Sequence, residues 1–217
     1  MVAPWLESHN AVKEEGGWSD DIIGPSAKIL ISAVERSIRT GFDVIEIHAA
    51  HGFLLHQFLS PVNNKRSDQY GGSFDNRIRL LLEIIQDTRL TIPETMPLFL
   101  RVSATDWLED TDIEGWNLKE TTQLSLKAAE RGVDFIDVSS GGSHPAQIIK
   151  GDPAYQAGFS KHIKDVLKNK AFVGAVGTIT NGVQANDLLN DGLDVILNGR
   201  LFQKNPGLVW SWADDLW

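Results

Sequence analysis

Apolar and polar positions alternate in short stretches along this chain, and each stretch is followed by a segment with helical spacing. In the first stretch, residues 42–48, the alternation directs Val44, Glu46 and His48 to one side and Ile45 and Ile47 to the other. Alternating strands and helices with short connections predict a parallel sheet. We predict further strands at 98–103, 134–139, 172–176 and 194–197, and helices at 26–40, 73–90, 118–131, 159–168 and 182–189.

The first strand has an apolar face and a polar face that ends in a histidine. This combination suits a strand of a (β/α) barrel, where the apolar side meets the helices and catalytic groups gather at the carboxyl ends. Five strands are too few for an eight-stranded barrel. The predicted fold class is therefore α/β, a partial TIM barrel of five parallel βα units.

The chain is predicted to be a single domain, residues 1–217. Residues 1–25 are predicted as a loop region, with turn signals at Gly16-Gly17 and Gly24-Pro25, and residues 26–217 carry the five βα units. Ser26 is predicted to cap the first helix and Gly41 to terminate it.

An incomplete barrel has two free strand edges, which are templates for pairing with another chain. We therefore expect either a homo-oligomer or a complementing polypeptide. The alternative is an open sheet whose inner face is buried under the chain's own N-terminal loop.

Composition narrows the function classes. The 217 residues are 42% hydrophobic and 23% charged, with a formal charge of −9, which argues against a nucleic-acid or anionic-membrane partner. The absence of cysteine excludes disulfides, thiolate catalysis and Cys-ligated metals. No apolar run approaches the roughly 20 residues that span a bilayer, and the N-terminus lacks the pattern of a secretory signal. A cytoplasmic protein is the expectation.

Two histidines, His48 at the end of the first strand and His51 in the following loop, are close enough in sequence to converge on one ligand. A metal site lacks an obvious third ligand at tight spacing, and in a structural role Glu46 could simply bond His48. On the second strand, Arg101 faces the interior and needs an acceptor. Glu46 or Asp137 could provide it without any cofactor.

The run IEIHAAHG followed by FLSPVNNKRSDQYGGSFDNR closely resembles the Old Yellow Enzyme family of FMN-dependent ene-reductases, in particular its bacterial-type His/His branch and fungal relatives. Aligned by motif, the five strands match strands 4–8 of the family barrel, whereas its first three strands and its C-terminal tail have no counterpart. The resemblance implies FMN as cofactor, NAD(P)H as reductant, an enone or phenolic ligand, and reduction of activated C=C bonds of α,β-unsaturated carbonyl compounds.

The resemblance also implies that the loop region 1–25 lies over the active-site face, and it implies roles for individual residues. His48 and His51 would hydrogen-bond the substrate oxygen, and Phe53 stands where the family usually has a tyrosine that supplies a proton. Phenylalanine has no proton to give. The implied FMN-binding residues are Arg101 at the pyrimidine edge, Ser139 and Gly141 in the loop near the ribityl chain (a simple turn is the alternative), and Gly177, Gly199 and Arg200 at the phosphate.

Three functions stay open from the sequence. The first is an FMN-dependent ene-reductase completed by a partner chain or by self-association. The second is a flavin-independent isomerase or cyclase that acts on a carbonyl compound through the histidine pair. The third is a non-catalytic subunit, because contacts that the missing strands make to the flavin ring in the family have no equivalent here.

Overall fold

Five parallel strands form one sheet, in the order β1-β2-β3-β4-β5, in a computed structural model of the chain. The structure describes residues 20–217, so most of the predicted N-terminal loop lies outside the described residues. The number, order and direction of the strands agree with the prediction. The strands are β1 (Ile45–Ala49), β2 (Leu98–Ser103), β3 (Phe135–Ser139), β4 (Phe172–Val176) and β5 (Val195–Leu197).

One to three helices follow each strand along the chain, and one helix precedes β1. The helices are α1 (Asp20–Arg39), α2 (Leu54–Leu59), α3 (Phe74–Arg77), α4 (Arg79–Thr91), α5 (Leu118–Ala129), α6 (Ala157–Leu167), α7 (Gly182–Asn190), α8 (Arg200–Lys204) and α9 (Leu208–Asp214). No helix in the described part of the chain is long and apolar enough to cross a membrane.

Helix α1 begins earlier than predicted. Ser26, which we expected to be its N-cap, lies inside the helix, and so do Gly24 and Pro25, which we read as a turn. Proline fixes φ at a helical value and removes one N–H, so it disfavours an interior position without forbidding it. At the other end Gly41, with a φ of 85°, terminates the helix as predicted.

Strand β1 is shorter than the predicted 42–48 stretch, but its two faces are as expected. Ile45 and Ile47 are buried, whereas Glu46 and His48 are exposed on the opposite side. On β2, β3 and β4 the residues on the same side as Ile45 and Ile47 are also buried, so the helix-facing side forms the core. Its fully buried members are Leu98, Leu100, Val102, Ile136, Val138, Val173 and Ala175.

The predicted helix at 73–90 is two helices that meet at Ile78. Ser73 caps the first of them, because its side chain accepts a hydrogen bond from the backbone N–H of Asn76 at 3.3 Å. The spacing of Ile78, Leu81, Leu82 and Ile85 predicts a buried stripe, and all four pack inward: Leu82 is partly buried and the other three are fully buried. Smaller differences of one to three residues affect the ends of the other strands and helices, except β2 and β4, whose bounds are as predicted.

The inner face of the sheet carries two rows of side chains, set by the parallel register. The lower row runs from Glu46 through Phe99 and Phe135 to Phe172. The upper row, nearer the carboxyl ends, runs through His48, Arg101, Asp137 and Gly174. The upper row therefore brings residues from four separate strands to one level, directly below the loops that follow them.

Candidate active site at the carboxyl rim

The two histidines meet at the carboxyl end of β1. Their ring centroids are 5.3 Å apart, with an angle of 50° between the ring planes. Phe53 joins them: its ring centroid lies 5.3 Å from that of His48 in an edge-on arrangement, and the residue is 54% exposed. The three residues for which the family resemblance implies a catalytic role are therefore adjacent, and one side of the group is open.

His51 is tied to two neighbouring strands. Its Nε2 lies 2.6 Å from Oγ of Ser139 at the end of β3, and its backbone N–H donates to Oγ of Ser103 at the end of β2, at 3.0 Å. Ser103 in turn donates to the carbonyl oxygen of Gly141, at 2.9 Å. Ser139 and Gly141, which the resemblance assigns to the flavin's ribityl side, thus lie beside His51 and contribute to holding it.

The electrostatic environment keeps both histidines neutral. Burial is the main cause that lowers the pKa of His48, and the positive charge of Arg101 adds to it. Burial, followed by Arg101 and then His48, lowers the pKa of His51 from 6.5 to about 4. Because a neutral imidazole carries one N–H and one acceptor nitrogen, each ring offers a single donor near pH 7.

Arg101 lies beside His48 in the upper row and pairs with Asp137. Its Nη1 is 3.2 Å from Oδ2 of Asp137. The pair is close but poorly aligned: among the described residues, Nε of Arg101 and both carboxylate oxygens have no hydrogen-bond partner. Burial raises the pKa of Asp137, and Arg101 partly opposes that rise. Asp137 rather than Glu46 is therefore the internal ion-pair partner.

A hydrogen bond joins the loops that follow β4 and β5. They lie at the carboxyl rim of the sheet, which is formed by the strand ends and the loops after them, on the side away from β1. Nδ2 of Asn198 donates to the carbonyl oxygen of Ile179 at 2.7 Å. Gly177, with a φ of 103°, opens the first of these loops, and Gly199 and Arg200 begin α8 in the second. A Cβ on Gly199 would meet no atom within 4 Å, and Arg200 is exposed. The residues that the resemblance implies for phosphate binding lie in two adjacent loops.

Gln156 links the carboxyl end of β3 to the carboxyl end of β4, and no sequence pattern pointed to this residue. Its side chain is buried; Oε1 accepts from Ser140 at 2.5 Å and from Ser139 at 3.3 Å, while Nε2 donates to the carbonyl oxygen of Val176 at 2.9 Å. Its Nε2 also fills the space where Gly177 would carry a Cβ. No local pattern marks this glutamine, because each of its contacts depends on how β3 and β4 pair.

The rim offers the hydrogen-bond donors of the histidine pair and the guanidinium groups of Arg101 and Arg200. No group of three or more His, Asp or Glu side chains in residues 20–217 could hold a metal ion. His56, expected as a core or capping residue, is completely buried, and its Nε2 is 3.2 Å from Oδ1 of Asp106. The arrangement can hold an oxygen atom between the histidine rings and an anionic or accepting group beside Arg101.

A sequence model of the NADH:flavin oxidoreductase / NADH oxidase family matches residues 23–216. The chain belongs to this family. The match includes every rim residue described above, from His48 to Arg200. Among curated relatives, NADH:flavin oxidoreductase FG08077 of Gibberella zeae is 48% identical over 248 aligned positions, which include 99% of this chain and 60% of that protein.

A second relative, an NADPH dehydrogenase of Bacillus cytotoxicus, is 43% identical over 85% of this chain and 51% of its own length. The chain therefore spans about half to three fifths of the length of the curated relatives it matches.

Solved structures show the fold. Morphinone reductase in complex with tetrahydroNAD superposes with a TM-score of 0.72 at 24% identity, covering 92% of this chain and 51% of that one. Histamine dehydrogenase from Rhizobium sp. 4-9 superposes with a TM-score of 0.76 at 25% identity, covering 91% of this chain and 28% of that one. These neighbours are TIM-barrel oxidoreductases, so the five parallel βα units are part of a TIM barrel, as predicted.

Proposed function

We propose that this chain carries the substrate- and phosphate-binding side of an FMN-dependent NAD(P)H oxidoreductase of the ene-reductase type. The substrates would be α,β-unsaturated carbonyl compounds, and a phenol would bind as a ligand. The observation that carries the proposal is that the rings of His48 and His51 meet at the rim, with His48 directly beside Arg101 in the upper row. Family membership supports flavin-dependent oxidoreductase chemistry in general.

The histidine pair would bind the substrate oxygen. Two neutral imidazoles, each donating one N–H to the same carbonyl oxygen, withdraw electron density from a conjugated C=C bond and stabilise negative charge that develops on the oxygen. For His51 this donor would be Nδ1–H, with Oγ of Ser139 donating to Nε2 instead of to Gln156. Both pKa values are lowered, so this state persists at neutral and mildly acidic pH. Phe53 shields one side of the pair but supplies no proton, so the α-carbon would receive its proton from water or another group.

The residues present fit FMN at two points. The buried Nε of Arg101 has no partner within the described chain and suits an acceptor at the pyrimidine edge of the flavin. Gly177, Gly199 and Arg200 would hold the phosphate, because their two loops are hydrogen-bonded to each other, the backbone at Gly199 is open and Arg200 is exposed. When bound, FMN would supply the hydride-transfer chemistry. Ser139 and Gly141 would lie near the ribityl chain.

A complementing polypeptide or a second copy of the chain would complete the site. One edge of β1 and one edge of β5 have no strand neighbour in the described chain. Phe172 on the inner face is 61% exposed, and Phe42 beside β1 is 64% exposed. Light scattering tests this proposal: a stable monomer that binds no hydrophobic dye would contradict it. A cytoplasmic location is part of the same proposal, and cell fractionation tests it.

The decisive experiment is a visible absorption spectrum of the purified protein, followed by anaerobic addition of NAD(P)H and then of 2-cyclohexenone. We expect a yellow protein that NAD(P)H bleaches and the enone reoxidises. His48→Ala should slow reoxidation, whereas His162→Ala, which changes an exposed histidine on α6, should leave it unchanged.

Two other outcomes contradict the proposal in different ways. A colourless protein that binds phenols, and whose turnover of a carbonyl compound depends on His48, would favour the flavin-independent isomerase or cyclase. A protein that binds neither flavin nor phenol, and whose properties do not change on substitution of His48 or His51, would favour a non-catalytic subunit.

A further inference from the structure

The loop that carries His51 has an unusual backbone. His51 has a φ of 59° and Gly52 a φ of 74°, so two consecutive residues are left-handed. For a residue with a side chain, this conformation costs roughly 1–2 kcal/mol. A conformation of this kind persists only where its surroundings hold it. The contacts that hold it therefore control where the His51 ring lies.

Three side chains hold the backbone of this loop. Ser103 accepts from the N–H of His51 at 3.0 Å, and His56 accepts through Nδ1 from the N–H of Gly52 at 2.9 Å. Gln57 donates through Nε2 to the carbonyl oxygen of Gly52 at 2.7 Å. Both hydrogen-bonding groups of Gly52 are therefore bound by consecutive residues of α2.

The contact with Gly52 determines the tautomer of His56. A backbone N–H can only donate, so Nδ1 of His56 must be the unprotonated nitrogen, and Nε2 carries the proton. That Nε2 lies 3.2 Å from Oδ1 of Asp106, and both side chains are completely buried. A second proton on His56 would fall on Nδ1 and eliminate the acceptor for Gly52.

Asp106 is in turn held as a carboxylate. Its Oδ2 accepts from Oγ of Ser60 at 2.5 Å and from the backbone N–H of Trp116 at 2.8 Å. Burial acts to raise the pKa of Asp106, but His56 and the hydrogen bonds from His56, Ser60 and Trp116 outweigh it and lower the pKa. A buried carboxylate thus orients a buried imidazole, which binds the backbone beside His51.

We propose that His56, packed against Asp106, is a positioning residue: through Nδ1 it fixes Gly52 and thereby sets the place of the His51 and Phe53 rings relative to His48. The proposal depends on the proposed function only for its consequence, the geometry of substrate binding. Neither residue touches the open side of the site, since both are buried beneath it.

Two substitutions of His56 separate its two contacts. In His56→Asn, the amide oxygen can occupy the position of Nδ1, so the acceptor for Gly52 is kept and the contact with Asp106 is lost. In His56→Gln, the longer amide reaches the position of Nε2, so the contact with Asp106 is kept and the acceptor for Gly52 is lost. Ser60→Ala is the control, since it removes a hydrogen bond to the same carboxylate without touching Gly52.

The measurements are amide hydrogen exchange at Gly52 and NMR titration of the His51 ring in ¹⁵N-labelled protein. In the parent chain, His56→Asn and Ser60→Ala, we expect a protected Gly52 amide and no titration of His51 above pH 5.5, because its pKa is about 4. In His56→Gln, we expect at least tenfold faster exchange at Gly52 and titration of His51 closer to pH 6.5, as the ring becomes exposed.

A protected Gly52 and an unshifted His51 in folded His56→Gln would overturn the proposal, as would equal changes in all three variants. These measurements need no flavin, so they remain decisive if the protein proves inactive. If the enzyme reduces enones, kcat/KM should fall roughly tenfold or more in His56→Gln and recover in His56→Asn, because small displacements of a binding group are costly. If the protein reduces no enone, the proposed function fails and the positioning result stands.

Discussion

Gly142 lies against the backbone of His51, and its replacement should displace the histidine pair. A Cβ added at Gly142 would be 2.5 Å from Cα of His51 and 2.7 Å from its carbonyl oxygen, and the φ of Gly142 is 90°. Left-handed strain in alanine costs roughly 1–2 kcal/mol, and overpacking costs roughly 1–3 kcal/mol more. We expect Gly142→Ala to lower the free energy of unfolding by about 2–5 kcal/mol in total.

Gly192 offers a matched control, because it has a φ of 99° and no atom within 4 Å of an added Cβ. Gly192→Ala should therefore lower the free energy of unfolding only by the cost of the backbone strain, about 1–2 kcal/mol. Urea unfolding of the parent and both variants measures the difference, and a change of 1 kcal/mol corresponds to about 2–4 °C in Tm for a chain of this size. Equal losses in the two variants, or phenol binding in Gly142→Ala as tight as in the parent, would refute the reasoning.

Three further predictions concern charge, cofactor and proton supply. Burial raises the folded-state pKa of Asp137, with Arg101 opposing, so the folded chain keeps a proton that the unfolded chain loses near pH 3.8. Stability should therefore fall as pH rises from that value through the folded pKa. Asp137→Asn should make this fall smaller in unfolding free energies measured between pH 4 and 7, while Glu46 and Glu120, whose pKa values burial also raises, still contribute to it. An unchanged slope would contradict this. Arg200→Gln should weaken FMN binding roughly tenfold or more in a fluorescence titration, since it removes a charge-assisted bond, while Lys204→Gln on the same short helix should not. Phe53→Tyr should raise enone turnover at least tenfold if proton delivery limits the reaction, because general-acid catalysis contributes about 10²–10⁴-fold; an unchanged kcat would show that protonation occurs elsewhere.

The strands and their faces could be predicted because each depends on local sequence. Ile45 and Ile47 alternate with Glu46 and His48, and a parallel strand packed on helices needs that pattern. The start of α1 could not be predicted in the same way. Pro25 usually marks a helix start or a turn, yet its fixed φ also suits a helix, and packing rather than local preference decides between them.

The candidate site was predictable in its residues but not in the contacts that support them. His48, His51 and Arg101 stand out in the sequence because histidine and arginine at strand ends suggest chemistry. Gln156 and Asp106 do not, since one lies in a loop before α6 and the other is an unremarkable aspartate. Their roles follow from contacts between residues that are 10 to 50 positions apart in the chain, which exist only after the chain has folded.

The lower row of the inner face explains why the upper row is electrostatically unusual. The rings of Phe99 and Phe135 lie 4.7 Å apart beneath Arg101 and Asp137. Gly174 leaves the space that the Phe135 ring needs, since a Cβ there would be 2.5 Å from its Cζ. Because this aromatic layer excludes water from below, the charged pair above it is desolvated, which raises the pKa of Asp137 and leaves Nε of Arg101 in need of an acceptor. The guanidinium is therefore available to an acceptor that enters from the open rim, where the histidine pair lies.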